Sequence, residues 1–117
     1  MQLHFLRAKL HKARVTETDL NYNGSVSIDE DLLKASGIHE FEKVDIYNIT
    51  NGSRFTTYTI KAEAGSKKIG INGAAAHLVN IGDSVIICAY CSIDKSEIDS
   101  INPKVIQLDA NNDIRNV

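Results

Sequence analysis

Asp45-Ile-Tyr-Asn-Ile-Thr-Asn-Gly-Ser-Arg-Phe-Thr-Thr-Tyr-Thr-Ile60 is rich in β-branched and aromatic residues on both sides of Asn51-Gly52. Such residues suit a pleated, half-buried surface, and Asn-Gly tolerates the positive φ that a tight turn requires. The stretch therefore predicts a β-hairpin with strands over 43–50 and 54–63. Outward from it, short β-prone runs punctuated by glycine and asparagine predict further strands near 2–16, 25–28, 68–72, 84–92 and 104–108. Many short strands in a small chain predict a closed or nearly closed barrel, because closure removes edges that would otherwise pair with other chains.

Only one segment carries a full helix signature. Asp29 is placed to cap a helix over 30–36, Glu30 and Asp31 put negative charge in its first turn, and Gly37 ends it. A shorter helix is expected to open at Gly73 and run through Ala74, Ala75 and Ala76. The tail from Asn111 to Val117 reads as frayed.

The chain has 117 residues and divides at no linker, repeat or low-complexity tract, so residues 1–117 read as a single domain. Folding buries roughly 65% of the surface of a chain this size, enough for a core without staples. Thirteen basic residues spread among fifteen acidic ones leave a net charge of −2, which is no footprint for nucleic acid or an anionic membrane. The amino terminus is too often interrupted by charge for a signal peptide, and no run approaches transmembrane length, so the expected location is the cytoplasm. Asn23-Gly-Ser, Asn48-Ile-Thr and Asn51-Gly-Ser match the glycosylation pattern but count as coincidence in a chain that is not secreted.

Cys88-Ala-Tyr-Cys91 resembles half of a zinc or redox site. It lies in a β-prone run, however, where residues three apart point to opposite faces, and no second ligand pair accompanies it. Buried structural cysteines are the expectation, and no metal is predicted. His4, His39 and His77 have no spacing that makes a metal site.

Alternation on the first strand puts Arg7, Lys9 and His11 on one face and Leu6, Ala8 and Leu10 on the other. Pattern alone favours a solvated face over a cationic wall for an anionic ligand. On the second hairpin strand Arg54, Thr56 and Tyr58 share a face opposite Phe55, Thr57 and Thr59. Arginine beside tyrosine suits a carboxylate clamp with a nearby phenolic proton, and suits an ordinary surface contact equally well. Gly70-Ile-Asn-Gly-Ala-Ala-Ala lacks a complete nucleotide-binding signature, although backbone N–H groups opening a short helix suit a small anion. Tyr22-Asn-Gly-Ser25, by pattern, is a turn.

Several pieces occur together and in order: Lys9-Leu-His11, Tyr22-Asn-Gly-Ser25, Ile28-Asp29, Ala35-Ser-Gly37, the run Val44 to Tyr58, and Ile71-Asn-Gly-Ala-Ala-Ala-His77. In this the chain resembles the pyruvoyl-dependent aspartate 1-decarboxylases, over residues 9 to about 90. The resemblance implies a double-psi β-barrel with short helices and a cytoplasmic homotetramer whose active sites form between subunits. It also implies self-cleavage between Gly24 and Ser25, into 1–24 and 25–117, helped in some cases by a maturation protein.

Ser25 would become a covalent pyruvoyl group. That group would form a Schiff base with L-aspartate, yielding β-alanine and carbon dioxide for pantothenate synthesis. The resemblance assigns Lys9 and Arg54 to the substrate carboxylates and Asn72, Gly73, Ala74 and Ala75 to the segment lining the substrate. Tyr58 would return the proton to carbon, and Thr57 would stabilise the oxyanion of cleavage and touch substrate. His11, Tyr22 and Tyr47 would line the site, Tyr47 standing where many members carry tryptophan.

Thr57 and Tyr58 fall on opposite faces of a regular strand. The sequence leaves open whether a bulge re-aims them or whether they serve different subunits' sites. Two rival readings are a non-catalytic β-barrel binding or assembly module, with Gly24-Ser25 as a plain turn, and a family member that stays largely uncleaved.

Overall fold

The structure, a computed structural model, describes residues 1–115. Eight strands form one sheet: β1 (Gln2–Arg14), β2 (Glu17–Asp19), β3 (Ser25–Asp29), β4 (Lys43–Asn48), β5 (Arg54–Ala62), β6 (Ile69–Asn72), β7 (Ser84–Asp94) and β8 (Lys104–Gln107). A single α-helix, α1 (Glu30–Ser36), and two 3₁₀ helices, Gly73–Leu78 and Lys95–Ser100, complete the described elements. The strand order is β2-β6-β3-β5-β4-β7-β1-β8.

That order implies closure. Only Val15 and Thr16 separate β1, near one end of the sheet, from β2 at the other. The sheet therefore has to curl until its two ends meet, and Val15 N and Thr16 N donate to Asp83 O and Ile69 O across the seam.

A thirteen-residue strand can follow such a curve only if it bends. β1 does so at two register shifts against β7, between Leu6 and Ala8 and between Leu10 and Ala13, the second with Lys12 at φ 64°. These bulges correct the expected alternation. Leu6 sits opposite Tyr90 rather than joining Ala8 and Leu10 in the core, and Arg7 turns to the Gly37 carbonyl and to Glu42. Inside, Ala8, Leu10, Val26, Ile28, Val44, Ile46, Ile69, Ile71, Val85, Ile87 and Leu108 make one apolar cluster with Leu32 and Leu33 of α1.

The hairpin forms in register, Tyr47 opposite Arg54 and Lys43 opposite Tyr58, but its turn is not the two-residue one expected. Of Asn51 and Gly52 only the glycine has positive φ, at 81°, and the loop is longer than two residues. The cause is Asn48. Its Oδ1 accepts from Thr50 N and Asn51 N, and its Nδ2 donates to Asp83 Oδ2 at 2.9 Å. A side chain so committed is also no sugar acceptor.

Three expectations need correction. The strand β2 and the 3₁₀ helix Lys95–Ser100 had no sequence forecast. The tail is tied down as far as residue 115: Asn112 is buried, bonds Arg14 N, Arg14 O and Lys67 O, and Leu108 bridges to Ile114. Residues 116 and 117 lie outside the described residues.

Asp29 joins β3 to its surroundings. Its Oδ1 caps α1 through Asp31 N at 2.8 Å and accepts from Gly65 N at 3.0 Å, while its Oδ2 accepts from Lys67 N at 2.8 Å. Burial by itself would raise the carboxyl's pKa, but these backbone donors, with the Lys67 charge, hold it below the ordinary value. A depressed folded pKa contributes stability above the unfolded value of about 4, which is lost as pH falls through the folded one. Asp29→Asn is expected to cost about 2 to 4 kcal/mol in urea unfolding at pH 7. The wild-type advantage should shrink as the pH is taken below about 4.

Candidate active site

Ser25 begins β3 and is wholly buried, whereas residues 21–24 just before it are exposed. Its hydroxyl oxygen accepts from Asn72 Nδ2 at 2.9 Å; the same amide donates to Ser27 Oγ at 3.1 Å. Antiparallel pairing of β3 with β6 sets Ser25 opposite Asn72, so the contact follows from the register. The hydroxyl hydrogen is directed to Asn23 O, 3.4 Å away.

Gly73 follows Asn72 and opens the 3₁₀ helix with φ 72°. A Cβ there would lie 2.7 Å from Gly24 Cα, 2.8 Å from Gly24 N and 3.1 Å from Tyr22 O. Glycine is thus required twice, for its dihedral and for the close approach of the 22–24 backbone. Ala74 is exposed and Ala75 half-buried on that helix. Beside this group runs a cleft of about 320 Å³ lined by Tyr22, Ser27, Ile60, Asn72 and the Lys68–Glu17 ion pair.

β5 runs parallel to β3 with Thr59 opposite Val26, a register that sets Thr57 and Tyr58, near the middle of β5, beside Gly24 and Ser25. The β4–β5 register is unbroken from Lys43↔Tyr58 to Tyr47↔Arg54, so no bulge re-aims Thr57. Arg54, Thr56 and Tyr58 are exposed on the outer face, while Phe55 packs against the core, Thr59 is buried and Thr57 is half-buried.

A second group occupies the outer face of β1, β7, β4 and the start of β5. The Arg54 guanidinium lies 4.1 Å above the centroid of the Tyr47 ring, and the Tyr47 and Tyr90 hydroxyls are 2.7 Å apart. Lys9 and Asp45 both stand opposite Cys88. Burial pushes the Cys88 thiol up in pKa, partly countered by a hydrogen bond from Tyr90. Cys91, three residues on, is half-buried, and neither cysteine is disulfide-bonded. The cleft of about 210 Å³ here is lined by Asp45, Tyr47, Arg54, Phe55 and Thr56, and includes neither Ser25 nor Asn72.

His11 lies at the second bulge of β1, its Nδ1 buried without a hydrogen-bond partner among the described residues. Burial, then the charges of Lys9 and Lys12, lower its pKa, so the ring is neutral at pH 7. Among the described residues no cluster of His, Cys, Asp or Glu could hold a metal ion, and no helix is long and apolar enough to cross a membrane.

Sequence reading named residues in both groups but passed over Ser27 and Tyr90. Both depend on pairing across strands, which no local pattern carries.

Known proteins resemble this chain in sequence along nearly its whole length. The family model for aspartate decarboxylase matches residues 1–115. The aspartate 1-decarboxylase of Halorhodospira halophila is 56% identical over 114 residues, covering 97% of this chain and 90% of the relative. That of Alkalilimnicola ehrlichii is 53% identical with the same coverage, and that of Ralstonia pickettii 50% identical over 98% of this chain and 96% of its own. The crossed strand order is the family's double-psi β-barrel, and the chain belongs to the aspartate decarboxylase family.

Proposed function

We propose that this chain decarboxylates L-aspartate to β-alanine and carbon dioxide, supplying pantothenate and coenzyme A synthesis, with a pyruvoyl group made from its own Ser25. The observation that carries the reading is the Ser25 hydroxyl, held by Asn72 at the buried start of β3 directly after an exposed glycine, in a chain of this family.

The precursor chemistry uses groups already adjacent. Ser25 Oγ attacks the Gly24 carbonyl carbon, the acyl group moves from nitrogen to oxygen, and the hydroxyl proton passes to the freed amine. Serine suits both roles required of it, nucleophile first and then, as an ester, leaving group. β-Elimination releases the Gly24 carboxylate, and water replaces the remaining nitrogen of residue 25, which departs as ammonia. Thr57, beside Gly24 in the parallel β3–β5 register, is assigned to the oxyanion of the first step.

The surroundings suit the resulting group. Asn72 Nδ2 is a donor and can hold a carbonyl oxygen as it holds the hydroxyl. The ladders from β3 to β5 and β6 start at residues 26 and 25, so cutting before Ser25 leaves them intact. The pyruvoyl carbonyl supplies an electrophile for the substrate amine and a sink for the electrons that carbon dioxide leaves behind.

Around it, Lys9 and Arg54 are assigned to the substrate carboxylates, Arg54 for the planar, bidentate contact a guanidinium makes. Tyr58 returns a proton to carbon. Asn72, Gly73, Ala74 and Ala75 line the substrate, with His11, Tyr22 and Tyr47 as further walls.

One chain does not bring these residues together. β1 lies four places from β3 around a closed eight-stranded wall, on the far side of the packed core, so Lys9 and Ser25 of one chain do not face the same aspartate. Arg54 is drawn onto Tyr47, on the side of β5 away from β3. We therefore assign each site to two copies, one giving Ser25, Asn72 and Tyr58 and the other Lys9, Arg54 and Tyr47, within a homotetramer. The orphaned His11 Nδ1 suits a contact that another copy or a ligand completes. A maturation helper protein and a cytoplasmic location belong to the same reading.

Intact mass spectrometry after prolonged warming should give fragments 1–24 and 25–117, the latter lighter by one ammonia than hydrolysis gives and blocked to amino-terminal sequencing. Ser25→Ala should give neither fragment and no carbon dioxide from aspartate. An intact wild-type chain without turnover would sink the reading.

Co-expressing Ser25→Ala with Arg54→Ala should restore part of the activity that each lacks alone; no restoration in confirmed mixed oligomers would count against shared sites. Gly73→Ala, by pushing the 22–24 backbone away, is expected to slow cleavage by about tenfold or more and to lower stability by about 1 to 3 kcal/mol. Cleavage at the wild-type rate would show that the Gly24–Gly73 contact does not position the scissile bond.

A further inference from the structure

Arg54 is exposed, and an exposed arginine samples many rotamers; ordering it during binding weakens affinity. In this protein its guanidinium already rests 4.1 Å from the Tyr47 ring centroid. A tyrosine ring on a sheet surface can itself swing about its side-chain torsions, so a platform of this kind is only as fixed as its far end. That end is tied: the Tyr47 hydroxyl lies 2.7 Å from the hydroxyl of Tyr90, two strand positions along β7 from Cys88.

We propose that Tyr90 is a positioning residue for substrate binding: its hydroxyl pins Tyr47, and the pinned ring presets the Arg54 guanidinium for a carboxylate of aspartate. The inference rests on the assignment of Arg54 to the substrate. Tyr90 need not touch the substrate, because it acts through two side chains in series. The buried Cys88 thiol, two positions back on the same strand, is its second neighbour. Burial and the bond to Tyr47 raise the Tyr90 phenol far above the ordinary range, so the Tyr90 hydroxyl keeps its proton at any pH near physiological.

The test uses fully cleaved enzyme, with β-alanine release measured against aspartate concentration. Tyr90→Phe should raise KM for aspartate by about three- to tenfold while changing kcat much less, the pattern of lost ground-state and transition-state binding alike. Tyr47→Phe deletes the same hydrogen bond from the other side while keeping the ring, and should match it. It also keeps the test available if Tyr90→Phe folds poorly. The double variant should be no worse than either single one. In an Arg54→Lys background, where the planar cation is gone, Tyr90→Phe should add nothing further.

An unchanged KM in Tyr90→Phe, a loss confined to kcat, or a full additional penalty in the Arg54→Lys background would each overturn the proposal. Absence of turnover in the wild type would instead defeat the decarboxylase reading itself, so the two failures are distinguishable.

Discussion

The strand Ser25–Asp29 is buried at all five positions and hydrogen-bonded along both edges, yet on the proposed function its first residue has to react with the peptide bond before it. These demands conflict unless the strand is held rigidly by everything except residues 21–24. The structure divides the work in that way. Asn72 holds the hydroxyl of residue 25, the β5 and β6 ladders hold the backbone, and the Asp29 carboxylate ties the far end to α1 and to the 65–67 turn. The 22–24 segment instead touches Gly73 across a space that admits no side chain. A break at the 24–25 bond would therefore open a loop and leave residue 25 at the head of an intact strand.

Barrel closure also explains why one chain keeps the residues assigned to the site in two separate groups. β1 must span the seam, so its outward cation Lys9 sits far around the wall from Ser25. A small closed barrel fills its interior with side chains; here that interior is Leu10, Val26, Ile28, Ile46, Ile69, Ile71 and Ile87. Chemistry is thereby confined to the outside and the ends. An outer surface is convex and wet, and a decarboxylation that gains from excluding water needs a second wall. In the proposed assembly a neighbouring copy is that wall, and it would bring the missing cations with it.

Legibility in the sequence followed the range of the interactions. The α1 helix was readable to the residue because its signals, Asp29 at one end and Gly37 at the other, lie within nine positions of each other. The strands were readable as β-prone runs, but Leu6 was misplaced because bulges answer to the curvature of the whole barrel. The hairpin turn was misjudged because Asn48 is committed to Asp83, thirty-five residues away. Asn112 likewise joins Arg14 and Lys67, contacts that made the tail look frayed when read alone. Gly24-Ser25 stood out only through its likeness to a family, since a glycine and a serine in a loop read as a plain turn until Asn72, forty-seven residues on from the serine, is set opposite it.

β5 is where the two halves of the site meet, and its unbroken pairing removes one of the two answers to the conflict that alternation posed. Arg54 and Tyr58 share the outer face but lie four residues apart, about 13 Å along an extended strand. An aspartate molecule is shorter than that, so the two need not serve the same substrate. Tyr58 adjoins Ser25 of its own chain through the parallel β3–β5 pairing, and Arg54 leans the other way onto Tyr47. Thr57, one residue from Tyr58 and on the opposite side, is then free to serve the peptide bond to be cut while its neighbour serves the product of cutting it. On this assignment one regular strand supplies the precursor step from one side and catalysis from the other, and it can do so because alternation is preserved.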